Sequence, residues 1–209
     1  MLPPVITIVD YDAGNIRSVK RACDAVGARS SLSRDPEEIR RAERIIFPGV
    51  GAAKSAMNSL VSSGLADGLR DAFRKGTPIF GICLGSQIIL ESSDEGDVAC
   101  LGLLPGKTPR FSLSDPSLKV PHMGWNEVKV ERPHPLLAGI EPGEEFYFVH
   151  SFYPAPSRAE DVHATSEHGV RFCSALGTAN LFATQFHPEK SGRAGLRMLE
   201  RFVSWDGSC

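Results

Sequence analysis

Residues 77–85 read TPIFGICLG, a short apolar run that ends in a cysteine between two glycines. The run predicts a buried strand over residues 77–82, and the residues after it, 85–91, predict the start of a helix. Glycine two positions before and two positions after Cys83 removes Cβ atoms that would clash in a sharp turn from strand to helix. The stretch therefore predicts a strand-turn-helix unit with the Cys83 thiol at its tip.

Strands and helices alternate around this unit through the first two-thirds of the chain. Strands are predicted at residues 5–9 and 44–47, and helices at 15–26, from Asp35 onward, at 53–62 and at 65–74. Later strands are predicted at 127–130, 145–151, 162–166, 170–175 and 181–187, before a last helix at 193–203. We therefore predict an α/β fold with a mostly parallel central sheet, flanked by helices and extended by antiparallel strands. No linker divides the chain, so one domain is expected over residues 1–209, with its core at about 5–204.

The composition excludes several functional classes. The chain has 209 residues, 42% of them hydrophobic, and a net charge of −2, so it offers neither a basic nucleic-acid surface nor an acidic tail. Its apolar runs are too short to span a bilayer, and its start lacks the basic region of a signal peptide. Five widely spaced cysteines without a CxxC pair argue against a disulfide framework or a zinc site. We expect a cytoplasmic protein that binds no nucleic acid, membrane, metal or cofactor.

Cys83 is a candidate nucleophile. A turn of this kind places the thiol near the free N–H groups at the start of a helix, whose dipoles favour the reactive thiolate. The N–H of Leu84 can point at an oxyanion that forms on an attacked carbonyl. A buried structural cysteine beside packing glycines explains this motif, taken alone, equally well.

A histidine and a glutamate near the end of the chain form a candidate base and its orienter. His187 and Glu189 lie two apart at the end of a predicted strand, where alternate side chains share a face, and Pro188 stiffens the link. A carboxylate beside an imidazole fixes its tautomer, so the pair can deprotonate a thiol and later protonate a leaving amine. Taken alone, the pair is more readily explained as an ordinary His–Glu contact on the protein surface. His122 and His150 lie in strand-like segments and fit satisfied core histidines.

A glycine-rich turn, Pro48-Gly49-Val50-Gly51-Ala52, follows one predicted strand and precedes a helix. Its free N–H groups can bind an anion or a developing oxyanion. It lacks the Lys-Ser/Thr of a P-loop and a complete GxGxxG pattern, so phosphate or dinucleotide binding is disfavoured.

Three of these motifs, in this order, resemble the class I, or triad, glutamine amidotransferases: residues 48–52, residues 81–87 (GICLGSQ) and residues 186–189 (FHPE). Further motifs narrow the resemblance to the glutaminase subunits of imidazole glycerol phosphate synthases. They are DY at 10–11, GNIRSV at 14–19, GLLPG at 102–106, KVPHMGWN at 119–126, YFVHSFY at 147–153 and HPEKS at 187–191. The resemblance covers residues 5 to 204 and implies a flavodoxin-like fold.

The resemblance implies that the matching residues hydrolyse L-glutamine to L-glutamate and ammonia through a cysteine thioester. Cys83 would be the nucleophile, His187 the base and then the acid, and Glu189 the residue that orients His187. The implied oxyanion hole consists of Val50, Gly51 and the Leu84 N–H, the implied substrate-binding residues are Gln87, Ser151 and Phe152, and the residues implied near the partner interface and ammonia passage are Asn15, Tyr147 and Lys190.

The same resemblance implies a protein partner and no cofactor. In this family the ammonia passes to a separate cyclase subunit, a (β/α)8 barrel, within a heterodimer that serves L-histidine biosynthesis. Activity is therefore expected to depend on that partner and its ligand.

Three alternatives stay open at this point. The glutaminase of another synthase, such as the one that makes pyridoxal phosphate, shares the chemistry but should lack the motifs at 119–126 and 187–191. A cysteine hydrolase of the peptidase or chaperone type usually has its histidine soon after the cysteine, unlike this chain. An inactive scaffold subunit would not need all three triad residues. The sequence also departs from the family pattern at Ser86, where a hydrophobic residue is common, and at Asp12 and Ala13.

Overall fold

The computed structural model describes residues 4–12 and 15–208. Ala13 and Gly14 of the first motif, and Cys209, lie outside the described residues. The strands are β1 (Ile6–Val9), β2 (Ser30–Ser33), β3 (Arg44–Gly49), β4 (Ile79–Cys83), β5 (Ser92–Ser93), β6 (Val98–Ala99), β7 (Gly106–Thr108), β8 (His122–Glu127), β9 (Lys129–Val130), β10 (Glu145–His150), β11 (Ala155–Pro156), β12 (Val162–Glu167), β13 (Arg171–Thr178) and β14 (Leu181–Thr184). The helices are α1 (Ile16–Ala25), α2 (Pro36–Arg41), α3 (Ala53–Ser62), α4 (Leu65–Lys75), α5 (Leu84–Ile88) and α6 (Gly192–Ser204), with 3₁₀ turns at Pro135–Leu137, Ala159–Asp161 and Pro188–Lys190.

The main sheet has eight strands in the order β2-β1-β3-β4-β14-β13-β12-β9. The first five strands in this order, β2, β1, β3, β4 and β14, run parallel to one another. The last three, β13, β12 and β9, are added antiparallel. Strands β1, β4 and β14 are buried along their whole length, as expected for parallel strands with helices on both faces. The predicted α/β fold, mostly parallel with antiparallel additions, is confirmed.

Two apolar clusters form the core, and alternate side chains of the parallel strands divide between them. One cluster joins Ile8 of β1 to Val19 of α1 and Phe202 of α6. The other joins Ile79 of β4 to Leu69 of α4. The helices therefore cover both faces of the sheet and leave the carboxyl ends of its strands free to carry side chains of a site.

The helix after Cys83 is shorter than predicted. It was expected at residues 85–91, whereas α5 begins at Leu84, directly after the cysteine, and ends at Ile88. The reason is tertiary: the carbonyl oxygens of Ile88 and Ile89 accept hydrogen bonds from the N–H groups of Leu101 and Leu103. Those long-range bonds replace the helical bonds that would extend α5.

The bounds of strand β8 were not predicted, although its first residue, His122, was placed in a strand-like segment. Strand β8 pairs with β10 in a separate two-stranded antiparallel sheet, and of the strand predicted at 127–130 only Lys129–Val130 enters the main sheet. Apolar Met123 and Trp125 of β8 point outward and are 63% and 54% exposed, while its buried side carries His122. This pattern inverts the usual alternation of apolar inside and polar outside, so periodicity gave no signal.

The described residues, 4–12 and 15–208, contain no helix of the length and hydrophobicity needed to cross a bilayer.

Helix α6 packs closely on the 3₁₀ turn at Pro188–Lys190, because a Cβ atom on Gly195 would lie 1.9 Å from the Pro188 carbonyl oxygen. Alanine is favoured over glycine inside a helix by about 1 kcal/mol. We nevertheless expect Gly195→Ala to lower the free energy of unfolding by about 1–3 kcal/mol, since α6 must move off the turn. Glu200→Ala, at an exposed position of α6, is the control and should change it by less than about 0.5 kcal/mol. Urea unfolding measures both; an equal or higher stability of Gly195→Ala would contradict the tight contact.

Candidate active site

The backbone at Cys83 is strained, and the glycines on either side of it lack the Cβ atoms that would clash in so tight a turn. Cys83 ends β4 with φ 54° and ψ −109°, in a region that residues with a side chain rarely adopt. A Cβ atom on Gly85 would lie 2.0 Å from the Phe47 carbonyl oxygen, and one on Gly81 would lie 2.9 Å from the Ala183 Cβ. The Ser86 hydroxyl donates a hydrogen bond of 2.7 Å to the Cys83 carbonyl. The predicted elbow is therefore present, and the unusual Ser86 adds a hydrogen bond to it.

His187 and Glu189 meet for a reason other than the predicted one. Strand β14 ends at Thr184, so the two residues do not alternate along a strand. The backbone N–H of His187 donates to the Tyr147 carbonyl at 2.9 Å. The 3₁₀ turn that begins at Pro188 then brings Glu189 back toward the His187 ring. The His187 Nδ1 then lies 2.8 Å from the Glu189 Oε1, with 1% and 0% of the two side chains exposed. The pair is buried, not the surface contact that its spacing alone favoured.

Asn15 contacts the same carboxylate. Its Nδ2 donates to Glu189 Oε1 at 2.6 Å, across 174 residues of sequence. Asn15 precedes α1 with φ 63°, a left-handed conformation that asparagine tolerates better than most residues. Because a carboxylate oxygen only accepts, His187 carries its proton on Nδ1. Among the described residues, His187 Nε2 has no hydrogen-bond partner, so it is free to exchange a proton.

The buried charges favour a protonated His187. Burial alone would lower the pKa of His187, but the Cys83 sulfur and the Glu189 carboxylate outweigh it and raise the pKa to about 10. The ring is therefore an imidazolium near neutral pH, beside the sulfur. By contrast, burial raises the pKa of Cys23 and Cys100 to about 11 and that of Cys173 to about 12. These three thiols have no such partner and are structural.

Cys83 opens into a cavity of about 270 Å³. That is the volume of a small ligand site, and it suits a single amino acid better than a nucleotide. Seven residues that the sequence singled out line it: Val50, Gly51, Cys83, Leu84, Gln87, Ser151 and Phe152. Gly51 has φ 98°, so the glycine permits the shape of the loop opposite the thiol. His187 and Glu189 are not among the residues that line the cavity.

Two polar residues of the site had no motif of their own in the sequence reading. The Gln185 Nε2 lies 3.7 Å from the Cys83 sulfur, and its Oε1 accepts from the Gln87 Nε2 at 2.9 Å. Glu95 lines the cavity and accepts from the Ala53 N–H at 2.7 Å, where it caps α3. The sequence signal for Glu95 is indirect: α3 begins after Ala52, which has no capping side chain.

Tyr147 and Lys190, predicted near a partner interface, contact each other outside the cavity. The Lys190 Nζ lies 5.6 Å from the centroid of the Tyr147 ring, a cation–π contact. The Tyr147 ring also packs edge-on against Trp125, with centroids 6.1 Å apart. The third residue of that group, Asn15, donates to the buried Glu189 carboxylate.

Comparison with known proteins identifies the class of enzyme that this site defines. The family model of class-I glutamine amidotransferases matches residues 7–205. The chain therefore belongs to the class-I glutamine amidotransferase family and is a glutamine amidotransferase. Two solved structures share the fold: PurLQS from Thermotoga maritima, with a TM-score of 0.72, 21% identity and coverage of 97% of this chain and 99% of that one, and a glutamine amidotransferase with a TM-score of 0.70, 20% identity and coverage of 95% and 99%.

Curated relatives narrow the placement within the family. The chain is 48% identical over 210 residues to imidazole glycerol phosphate synthase subunit HisH of Chromobacterium violaceum, covering 97% of this chain and 99% of the relative. It is 50% identical over 203 residues to the HisH subunit of Nitratidesulfovibrio vulgaris strain DP4, covering 95% of each. At this identity and coverage, the chain groups with the HisH glutaminase subunits.

The surroundings of the thiols predict that one of them reacts far faster than the others. Cys83 lies beside the His187 ring and lines a cavity, whereas the other described thiols are buried without such a partner. In a Cys209→Ser background, we expect iodoacetamide at pH 7 to label Cys83 at least about tenfold faster than the other three. Peptide mass spectrometry over a time course measures this. His187→Gln should remove the advantage; uniform labelling of all four thiols in the unsubstituted His187 protein would contradict it.

Proposed function

We propose that this chain hydrolyses L-glutamine at Cys83 and delivers the ammonia to a cyclase subunit of imidazole glycerol phosphate synthase, a (β/α)8 barrel, within a heterodimer. The observation that carries the proposal is the buried His187–Glu189 contact of 2.8 Å beside a cysteine that lines a ligand-sized cavity. A cytoplasmic location belongs to the same proposal, because the four cysteines that the structure describes are all free thiols.

The first half of the reaction acylates the enzyme. The Cys83 thiolate attacks the side-chain amide carbon of glutamine, and the carbonyl oxygen becomes an oxyanion. Leu84, at the start of α5, and the loop at Val50–Gly51 line the cavity with Cys83, and their N–H groups are the proposed donors for that oxyanion. The His187 imidazolium then gives its Nε2 proton to the leaving nitrogen, so ammonia departs and a thioester remains.

The second half of the reaction regenerates the thiol. Neutral His187 takes a proton from water through Nε2, and the resulting hydroxide attacks the thioester carbon. Collapse of this second tetrahedral intermediate releases glutamate and returns the thiolate beside the imidazolium. Glu189 holds the ring throughout, because its Oε1 accepts from both His187 Nδ1 and Asn15 Nδ2. Two donors on one oxygen restrain the carboxylate and hence the direction of Nε2.

The remaining cavity walls hold the substrate. Gln87, Ser151 and Phe152 line the cavity and are the proposed contacts to the α-amino and α-carboxyl end of glutamine. Gln185 is a positioning residue in this proposal. Its amide links the Cys83 sulfur to Gln87, so it fixes the thiol relative to the wall that binds substrate.

An exposed apolar face beside the cavity supports the partner proposal. Met123 and Trp125 are two of only four large hydrophobic residues exposed in the described part of the chain. They pair across β8 and β10 with Val149 and Tyr147, and Val149 also lines the cavity. We call the surface formed by these four residues the β8–β10 face. Lys190 over Tyr147 adds a positive charge at its edge, so the face suits a partner with apolar and acidic groups.

The proposed reaction has a direct test. Glutamate release from L-glutamine is measured for the wild type and Cys83→Ala, each with and without a matching cyclase subunit and its nucleotide ligand. We expect release that depends on the partner and falls by at least about 10³-fold in Cys83→Ala, since the alanine cannot form a thioester. Equal release by mutant and wild type would refute the triad. Soluble expression without growth of a histidine auxotroph that lacks this subunit would point to a different synthase.

The partner surface has a separate prediction. Met123→Ala and Trp125→Ala should each weaken binding of the cyclase subunit by about tenfold or more, because truncation of a large interface side chain typically costs more than about 1 kcal/mol at a hot spot. Val61→Ala, also 63% exposed but on α3, is the matched control and should leave binding unchanged. Isothermal titration calorimetry measures all three. Binding that is insensitive to both β8 variants would place the cyclase elsewhere.

A further inference from the structure

One carbonyl in the cavity wall accepts two side-chain hydrogen bonds. The Phe152 oxygen accepts from the Gln87 Nε2 at 2.9 Å and is 2.8 Å from the His150 Nδ1. Both lone pairs of the carbonyl are therefore in use. The segment that ends the cavity at Ser151–Phe152 is held from two directions, by α5 and by β10.

The second of these bonds continues inward through a chain of side chains. The His150 Nε2 lies 3.0 Å from the His122 Nδ1, across the β8–β10 pairing. The His122 Nε2 lies 3.2 Å from the Asn126 Nδ2, which also donates to the Glu167 carbonyl at 2.8 Å. This series of hydrogen bonds thus runs from one backbone carbonyl, at Glu167, to another, at Phe152.

The two carbonyl ends determine every proton between them. The Glu167 oxygen can only accept, so the Asn126 atom facing it is the amide nitrogen, whose second proton points at His122 Nε2. His122 Nε2 is then bare, and its proton lies on Nδ1, where it donates to His150 Nε2. His150 in turn carries its proton on Nδ1 and donates to Phe152. Reasoning back from the Phe152 carbonyl gives the same assignment.

A flipped ring or an added proton would break this series of hydrogen bonds. Both nitrogens of each ring have a partner, so rotating either ring by 180° would put carbon atoms in their place. Protonation of either ring would set two donors against each other. Burial lowers the pKa of His150 to about 3 and that of His122 to about 4, the latter with a contribution from His168, which stacks on His122 at 4.3 Å. Both rings are therefore neutral near pH 7.

We propose that Asn126, His122 and His150 form a hydrogen-bonded relay with one fixed set of tautomers, and that this relay positions the Phe152 carbonyl in the wall of the glutamine cavity. The three are positioning residues, since His150 reaches only the backbone of Phe152 and the other two act through it. Their effect on glutamine rests on the proposed function, whereas the tautomers do not. The relay differs from simple packing because it specifies where two protons lie.

Nuclear magnetic resonance tests the tautomers without any substitution. Long-range proton–nitrogen correlation spectra of the ¹⁵N-histidine-labelled chain separate the two neutral forms of each ring. We expect His122 and His150 both to carry the proton on Nδ1 and to keep it between pH 6 and pH 8. An Nε2–H form at either ring, or a ring that titrates within that range, would overturn the relay.

A matched pair of variants tests the positioning role. In His122→Asn the amide nitrogen stands in place of Nδ1 and still donates to His150, whereas His122→Leu fills similar space without a donor. With the cyclase subunit present, we expect His122→Leu to raise KM for glutamine about tenfold with kcat within about twofold, and His122→Asn to raise KM no more than about threefold.

Two kinetic outcomes would contradict the positioning role: equal effects of the two variants, which would indicate packing alone, or a loss confined to kcat. A wild type that releases no glutamate in any mixture would instead refute the proposed function, while the tautomer measurement would still decide the relay.

Discussion

The contact between α5 and β3 is the constraint on which the site depends. Gly85 lies so close to the Phe47 carbonyl that no side chain fits between them. This approach lets the chain reverse from strand to helix within one residue, and the whole strain of the turn falls on Cys83. A wider turn would move the thiol away from the loop at Val50–Gly51 and from the start of α5. The parallel pairing of β3, β4 and β14 then brings His187 to the same end of the sheet as Cys83.

Much of this arrangement can be predicted from local sequence, because it depends on residue types that each indicate one local structure. Glycines on both sides of Cys83 indicate a turn that lacks room for Cβ atoms, and Asp35 before Pro36 indicates a helix start, which the Asp35 side chain caps at the Glu37 N–H. The order of the motifs along the sequence is itself typical of the family. The nucleophile motif was ambiguous alone, and the buried thiol that it also allowed is present too: Cys83 is only 6% exposed.

Other features depend on contacts between distant segments and had no local signal. The spacing of His187 and Glu189 suggested the right pair, yet a 3₁₀ turn and not strand alternation brings them together. Asn15 donates to Glu189 across 174 residues of sequence, a contact that was not predicted. The bounds of strand β8 could not be predicted from hydrophobic periodicity, because its apolar side chains face outward. In each case the decisive partner lies elsewhere in the chain, where no window of sequence includes both.

The position of the base late in the chain has a consequence for synthesis on the ribosome. Strands β3 and β4 and Cys83 lie in the first half of the sequence, whereas His187 and Glu189, the proposed base and its orienter, lie on the segment that precedes the last helix, α6. A nascent chain therefore carries Cys83 through the addition of about 100 further residues before the proposed base is made. Asn15, made early, can meet Glu189 only after another 174 residues have been added. Under the proposed function, the order of synthesis thus delays glutamine hydrolysis until His187 and Glu189 are both present.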